Sequence, residues 1–320
     1  MLRNGLIFLS DSRAAKKLVT GTPLRAMSKR FVPGETVEQL AGAMVDANGK
    51  GLAVTANYLG ESEKSERNAR AAADTYLEVL DRVVADGIRG NVSVKFTQLG
   101  QAISANFLAD NLGRLLHRAR AHELFIRFDM ESSEYTQRTL DAFEQLWGEG
   151  WRDIGVVLQS YLMRTESDVA RMNELGARVR LCKGAYTEPA SVAFQSREEV
   201  DAAYVRLMEM LLVDGNYPAI ATHDERMIDA TVCFAEKESI SSDRFEFQML
   251  YGVRRDLQAQ LVDQGYNVRV YIPFGESWYP YLMRRLAERP ANILFMTGSV
   301  LKESPLGRLW PRNGRLRKES

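Results

Sequence analysis

The chain has 320 residues, 45% of them hydrophobic, which is enough for a sizeable core and argues against a wholly disordered chain. Lys and Arg number 42 and Asp and Glu 42, so the formal net charge is zero. That balance argues against a general nucleic-acid or acidic-membrane binder, which carries a basic excess.

The first apolar run, at residues 6–9, is too short for a signal peptide, and Asp11 follows at once. No stretch approaches the ~18 apolar residues of a membrane span, so at most a peripheral membrane contact is expected. Residues 1–48 read as a helical segment. Ser10 or Ser12 is placed to cap a short first helix, and Thr36 with Gln39 has capping-box spacing before a helix at 37–47, stopped by Gly49.

From Gly51 a rhythm sets in. Strand-like runs occur at 52–58, 91–97, 124–130, 154–161, 178–186, 219–223, 245–250 and 268–274. Amphipathic helix patterns lie between them at 65–86, 104–122, 133–147, 166–175, 197–213, 225–238 and 254–264. Gly87, Gly176, Gly215 and Gly265 stand where helices should stop. A last helix is expected from Pro280, as its first residue, to Glu288. Eight strand–helix units fit an α/β fold of the (β/α)8 TIM-barrel type, with an expected span of ~250 residues. A doubly wound open sheet is the second choice. The expected domains are therefore the N-terminal helical segment 1–48, a catalytic barrel at 49–304 and a tail at 305–320.

Alternation within the strands is the most informative feature. Val92, Val94 and Phe96 share one face and Ser93, Lys95 and Thr97 the other; Ile126, Phe128 and Met130 oppose Phe125, Arg127 and Asp129. Phe245, Phe247 and Met249 oppose Glu246, Gln248 and Leu250, and Val268, Val270 and Ile272 oppose Arg269 and Tyr271. In a parallel barrel both faces are buried, so the apolar face meets the helices and the other points into the lumen. Charges there must pair or meet a ligand. A structural ion-pair network is expected for the deeper Arg127, Glu246 and Arg269. Lys95, Asp129, Gln159 and Tyr271 stand near C-terminal strand ends, where barrel active sites form.

Tyr281, Arg284, Arg285 and Glu288 lie at i, i+3, i+4 and i+7, one face of the last helix. Such a stripe is commonly a solvated face, yet two adjacent guanidinium groups after strand eight suit a carboxylate or phosphate. The segment 180–186 runs from a strand into a Gly-Ala turn, and Thr222-His223-Asp224 ends strand six. Cys182 and Cys233, the only cysteines, have neither C-x-x-C nor metal-ligand spacing, which speaks against a disulfide framework or a metal site and for a reducing, cytoplasmic compartment. Phosphate-loop, dinucleotide-fingerprint, H-E-x-x-H and G-x-S-x-G motifs are absent, which argues against the corresponding NTPases, Rossmann enzymes, zincins and lipase-type hydrolases.

Taken together, Ser93-Val94-Lys95, Arg127-Phe128-Asp129-Met130-Glu131, the Gln159 strand end, the segments 180–186, 221–223, 245–252 and 269–275, and the helix 281–288 resemble the proline dehydrogenase family in its stand-alone bacterial form. The resemblance runs from about residue 51 to 298, with the Arg-x-x-Lys-Gly-Ala-Tyr segment and the Tyr-x-x-Arg-Arg helix specific in combination. It implies a distorted barrel and an FAD flavoprotein that oxidises L-proline to Δ1-pyrroline-5-carboxylate, with electrons passed to a quinone. It also implies an enzyme at most peripheral to the inner face of the membrane. Longer relatives fuse the barrel to an aldehyde dehydrogenase; here the pyrroline-5-carboxylate (glutamate-semialdehyde) dehydrogenase is expected as a separate partner.

By the same resemblance Lys95, Arg284 and Arg285 form a clamp on the substrate carboxylate, and Tyr271, Tyr281 and Leu250 wall the proline ring. Asp129 is the catalytic-site carboxylate, and Arg180 is the cation beside the flavin N5. Met130, Gln159, Lys183, Gly184, Ala185, Thr222, His223 and Glu288 are the remaining FAD contacts. Thr187 departs from relatives that have an aromatic residue there. Glu61, at the end of strand one, is expected to gate the pocket by pairing with Arg284. Two other readings of the same residues are a Schiff-base lyase or aldolase using Lys95 or Lys183, and a non-catalytic carboxylate-binding module.

Overall fold

The computed structural model describes residues 29–288, with side chains as far as 283. The expectations that fall on 1–28 and 289–320, including the Ser10 and Ser12 caps, lie outside the described residues. One compact unit, Leu24–Trp278, contains a closed barrel of eight strands in sequential order, each paired in parallel with its neighbours.

The chain enters through helix α1 (Val37–Asn48), where Thr36 and Gln39 form the expected capping box. Asn48, at the end of α1, ties down the starts of the first two strands. Its Nδ2 donates to Leu52 O at 2.9 Å and its Oδ1 accepts from Arg89 N at 2.7 Å. The barrel then runs β1 (Ala53–Tyr58), α2 (Glu66–Ala85), β2 (Gly90–Val94), α3 (Ala105–Ala121), β3 (Ile126–Phe128), α4 (Ser133–Gly148), β4 (Ile154–Gln159) and α5 (Thr165–Leu175). It continues with β5 (Arg178–Cys182), α6 (Arg197–Asp214), β6 (Ala219–Ala221), α7 (Glu225–Lys237), β7 (Glu246–Leu250), α8 (Arg255–Asp263) and β8 (Asn267–Phe274). Ser65, Ser104, Ser196 and Asp224 cap α2, α3, α6 and α7 through their side chains, because each accepts from an otherwise orphaned N–H of the first turn.

Strands β2, β3, β5 and β6 end earlier than their β-rich runs. Lys95, Asp129, Lys183, Thr222 and His223 therefore lie just past the ladder, in the loops of the barrel mouth. The hydrogen bonding follows a little beyond the strand itself, with Asp129 N donating to Val94 O at 2.9 Å. Helix α9 spans Trp278–Glu288 and falls, from Tyr279 onward, in the second compact unit. Pro280 is its third residue and not its first; it is still in the first turn, where a missing N–H has no intrahelical acceptor to lose.

The alternation sorts as expected. Val92, Val94, Phe128, Phe247, Val270 and Ile272 are buried in the continuous apolar core. The polar face fills the lumen, because its bonds join strands that are not neighbours. The deep layer differs in one respect from a plain ion-pair network. Arg269 and Glu246 do pair, at 2.8 Å, and Arg269 also donates to Val54 O at 2.9 Å and Asn91 Oδ1 at 3.2 Å. Arg127 instead donates to main-chain carbonyls, Arg178 O at 2.6 Å and Val156 O at 3.2 Å. Burial and the nearby Arg180 charge push its guanidinium well below the usual arginine range, with Glu246 acting in the opposite sense.

Gly155 makes that arrangement possible. A Cβ at this position would stand 2.6 Å from Arg127 Nη1 and closer still to Arg178 O. Gly155→Ala is expected to cost about 1–3 kcal/mol by overpacking, although alanine suits the backbone there. Urea denaturation monitored by circular dichroism measures it, and an unchanged midpoint would show that the β5 main chain and the guanidinium both have room to move.

Candidate active site at the barrel mouth

Above the deep layer, five strands or strand ends converge on one ion pair. Arg180 of β5 donates through Nη2 to Asp129 Oδ1, just past β3, and to Ser93 Oγ of β2 at 2.9 Å. Its Nη1 donates to Gln248 Oε1 of β7 at 3.2 Å. Ser93 Oγ donates to Asp129 Oδ1 at 2.6 Å, and Tyr271 OH of β8 donates to Asp129 Oδ2 at 2.7 Å. The Arg180 guanidinium also lies 5.2 Å from the centre of the Tyr271 ring. Both oxygens of Asp129 and both terminal nitrogens of Arg180 thus have partners, as a buried ion pair requires. Burial first, and the Asp129 charge second, push the Tyr271 phenol well above its ordinary range. It therefore stays protonated at neutral pH and serves as a donor, not a base. The same two causes hold the Tyr76 phenol up behind it, where Tyr76 OH donates to Ser93 O at 2.9 Å.

Lys95 stands at the rim, with Nζ 3.0 Å from Glu61 Oε2. The expected partner of Glu61, Arg284, has its side chain outside the described residues, as do Arg285 and Glu288. Tyr281 is a buried residue of α9.

On the β4–β6 side the mouth is built differently. Tyr161 N donates to Lys183 O at 3.0 Å, which extends the pairing of β4 and β5 past Gln159 and Cys182. Gln159 is buried and its Oε1 has no hydrogen-bond partner. Gly184 has φ +105°, and a Cβ there would enter the Tyr161 ring, so only glycine lets the turn lie flat on that ring. Met130 is buried, and Ala185 is exposed at the turn. Thr222 Oγ1 accepts from Asp224 N at 3.1 Å. His223 Nε2 accepts from Leu250 N at 2.9 Å, which leaves the ring proton of the neutral imidazole on Nδ1. Lys183 lies between Asp201 and Asp224, with Nζ 2.9 Å from Asp224 Oδ2, and Arg226 reaches Asp201 Oδ2 at 2.6 Å.

The structure thus gathers Asp129, Arg180 and Tyr271 at one point, with Lys95 and Glu61 at the rim and Gln159, Lys183, Gly184, Thr222 and His223 along the β4–β6 edge. Ser93 and Gln248 were not among the expected site residues. Their signal was in the sequence, since each shares its strand face with an expected residue, Lys95 and Leu250 respectively. Glu188 had no such signal. It lies in the β5–α6 loop and caps α4 from outside, accepting from Ser133 N at 2.7 Å. Glu131 accepts from Thr97 N at 3.2 Å, and burial raises its carboxyl above the usual range against the opposing bonds from Thr97.

A closed parallel barrel with a buried Arg–Asp pair at its C-terminal mouth is the plan of a barrel enzyme. Residues 41–298 match the proline dehydrogenase family, and the chain belongs to that family. It is 38% identical over 301 residues to proline dehydrogenase 2 of Bacillus subtilis (strain 168), covering 94% of this chain and 99% of the relative. It is 41% identical over 282 residues to the proline dehydrogenase of Deinococcus radiodurans, covering 86% and 90%. Among solved structures it is similar to proline utilization A (PutA) from Bdellovibrio bacteriovorus, inactivated by N-propargylglycine. The TM-score is 0.81 at 27% identity, over 92% of this chain and 36% of that longer one.

The Lys183 cluster makes an acid-stability prediction. Burial pushes the carboxyls of Asp201 and Asp224 up, but bonds and charge from Lys183 and Arg226 outweigh it and hold both below the ordinary aspartate range. A depressed folded-state value means the unfolded chain takes up protons first as pH falls. The stabilisation is therefore complete at neutral pH and is lost progressively below about pH 4. Asp224→Asn should be less stable at neutral pH and show a flatter decline in acid, read from denaturation midpoints across that range.

Proposed function

We propose that the chain oxidises L-proline to Δ1-pyrroline-5-carboxylate at the barrel mouth, with FAD as hydride acceptor and a quinone as the onward electron acceptor. Proline oxidation, the first step of proline catabolism, is the activity of the family to which the chain belongs. That membership sets aside the Schiff-base lyase and the binding module. Lys95 and Lys183, the amines those readings needed, are both engaged in ion pairs.

The residues at the mouth fit a flavin. Gln159 offers a buried acceptor with no partner, which the imide N–H of a flavin ring would satisfy, and Gly184 leaves its turn open to close approach. Gln159, Arg180, Lys183, Gly184, Ala185, Met130, Thr222 and His223 would hold it. When bound, FAD supplies the acceptor for the hydride that leaves the proline ring.

The single observation that carries the reading is the fixed cation. Arg180 cannot rotate away without leaving Asp129 buried and uncompensated, so its positive charge is in place before any negative charge develops beside it. Asp129 in turn orients Arg180 and Tyr271 and needs no proton of its own to do so. Tyr271 is held by its hydroxyl on Asp129, and Leu250 is half-buried beside it in the β7–β8 pairing. Both are placed to wall an apolar ring. Lys95 offers a rim cation for the substrate carboxylate. A separate pyrroline-5-carboxylate dehydrogenase would take the product onward. Contact with a membrane, for quinone reduction, would be peripheral; among the described residues no helix is long and apolar enough to cross one.

Purified protein should be yellow and should bleach with proline in the absence of oxygen. Colourless protein, or a yellow colour indifferent to proline, overturns the reading. Arg180→Met should lower the flavin reduction potential and slow flavin reduction by about a hundredfold, the loss typical of removing a preorganised charge-stabilising group. Potentiometric titration and stopped-flow reduction measure the two effects.

Lys95→Met should raise the KM for proline by about thirtyfold, the lower end for truncating one partner of an interfacial charge pair, while the protein stays yellow. Pyrrolidine, which has no carboxylate, should be a poor substrate for both proteins and suffer little more from the substitution. Equal losses on proline and pyrrolidine would place the carboxylate contact elsewhere.

A further inference from the structure

The deep layer and the mouth of the lumen are joined by one side chain, Gln248. Its Nε2 donates to Glu246 Oε1 at 2.5 Å, and its Oε1 accepts from Arg180 Nη1 at 3.2 Å. Glu246 is anchored below by Arg269, whose Nε and Nη2 donate to its two oxygens at 2.8 and 3.1 Å. All of Glu246, Gln248 and Arg180 are buried, so none of these bonds is exchanged readily for water.

The chemistry of the two neighbours leaves the amide one orientation. A carboxylate only accepts hydrogen bonds and a guanidinium only donates them. Glu246 therefore claims the NH2 end of Gln248, and the oxygen must face Arg180. A rotated amide would set NH2 against guanidinium and oxygen against carboxylate, two unfavourable contacts between buried groups. The other contacts of Arg180, to Asp129 and Ser93, are made by Nη2; Nη1 is held by Gln248.

We propose that Gln248 and Glu246 are positioning residues for the reaction: Glu246 fixes the amide of Gln248, and the amide oxygen sets the rotation of the Arg180 guanidinium about its bonds to Asp129. The inference rests on the proposed function, in which Arg180 is the cation beside the flavin. It extends the reacting machinery one layer down the barrel, to groups that touch neither substrate nor cofactor. Arg269 completes the chain, since it keeps Glu246 charged and in place.

Two variants of similar size test it. Gln248→Met removes the acceptor for Nη1 and the donor to Glu246 without adding charge. It should lower the flavin potential and slow flavin reduction by about tenfold, the scale of one hydrogen bond to a charged group, with little change in KM for proline. Gln248→Glu is the more telling variant. While its new carboxyl is protonated it reproduces the amide pattern, with O–H to Glu246 and C=O to Arg180. Once ionised it sets two carboxylates side by side.

Gln248→Glu should therefore reduce its flavin at close to the wild-type rate at about pH 6 and lose rate and potential progressively toward about pH 9, relative to wild type at each pH. A merely space-filling role for Gln248 gives no such pH dependence. Wild-type potential and rate in Gln248→Met, or a Gln248→Glu profile parallel to wild type, overturns the inference while proline still bleaches the wild-type protein. A wild-type protein that proline does not bleach overturns the proposed function, and this inference with it.

Discussion

Two opposite charges inside a closed barrel set the terms for everything around them. Arg180 and Asp129 are each almost fully removed from water. Either one alone would carry a desolvation penalty of several kcal/mol. The pair is tolerable only because three further strands supply the remaining partners: Ser93 of β2, Gln248 of β7 and Tyr271 of β8 close the valences that the two charges leave open. The constraint runs both ways. The barrel must keep its strand register for these groups to meet, and the groups hold the strands together through the lumen.

This explains why the lumen is layered by chemistry. The deep layer uses charge structurally: Arg269 and Glu246 pair, and Arg127 is spent on main-chain carbonyls of β4 and β5. The upper layer keeps the same kinds of group but leaves one side of them facing the mouth. Gln248 belongs to both, because its amide donates to a carboxylate at one end and accepts from a guanidinium at the other.

The rim follows a looser rule. Lys95 and Glu61 are partly exposed, and so are Lys183 and Asp224, whereas Asp201 is buried. Charges here keep access to water and to incoming anions, so they are held less rigidly than the lumen pair. The gradient from a fixed interior to an adjustable rim suits a site that must hold one charge steady and still admit a charged substrate.

Much of this was legible in the amino-acid sequence alone. Strand–helix alternation set the barrel, because a period of two and a period of 3.6 are local properties that survive without any tertiary contact. The alternation of Val92-Ser93-Val94-Lys95 and of Phe247-Gln248-Met249 sorted core from lumen for the same reason, and the segments carrying Arg180 and Asp129 marked the family. What the tertiary structure alone decided was which lumen residues meet. Ser93 and Gln248 look like ordinary polar strand positions, and Glu188 like a loop residue. Arg127 reads as an ion-pair partner, yet it binds carbonyls. Such outcomes depend on the stagger of strands far apart in the chain, and on the space that a residue such as Gly155 leaves across the lumen. No local period encodes that distance; it exists only once the barrel closes.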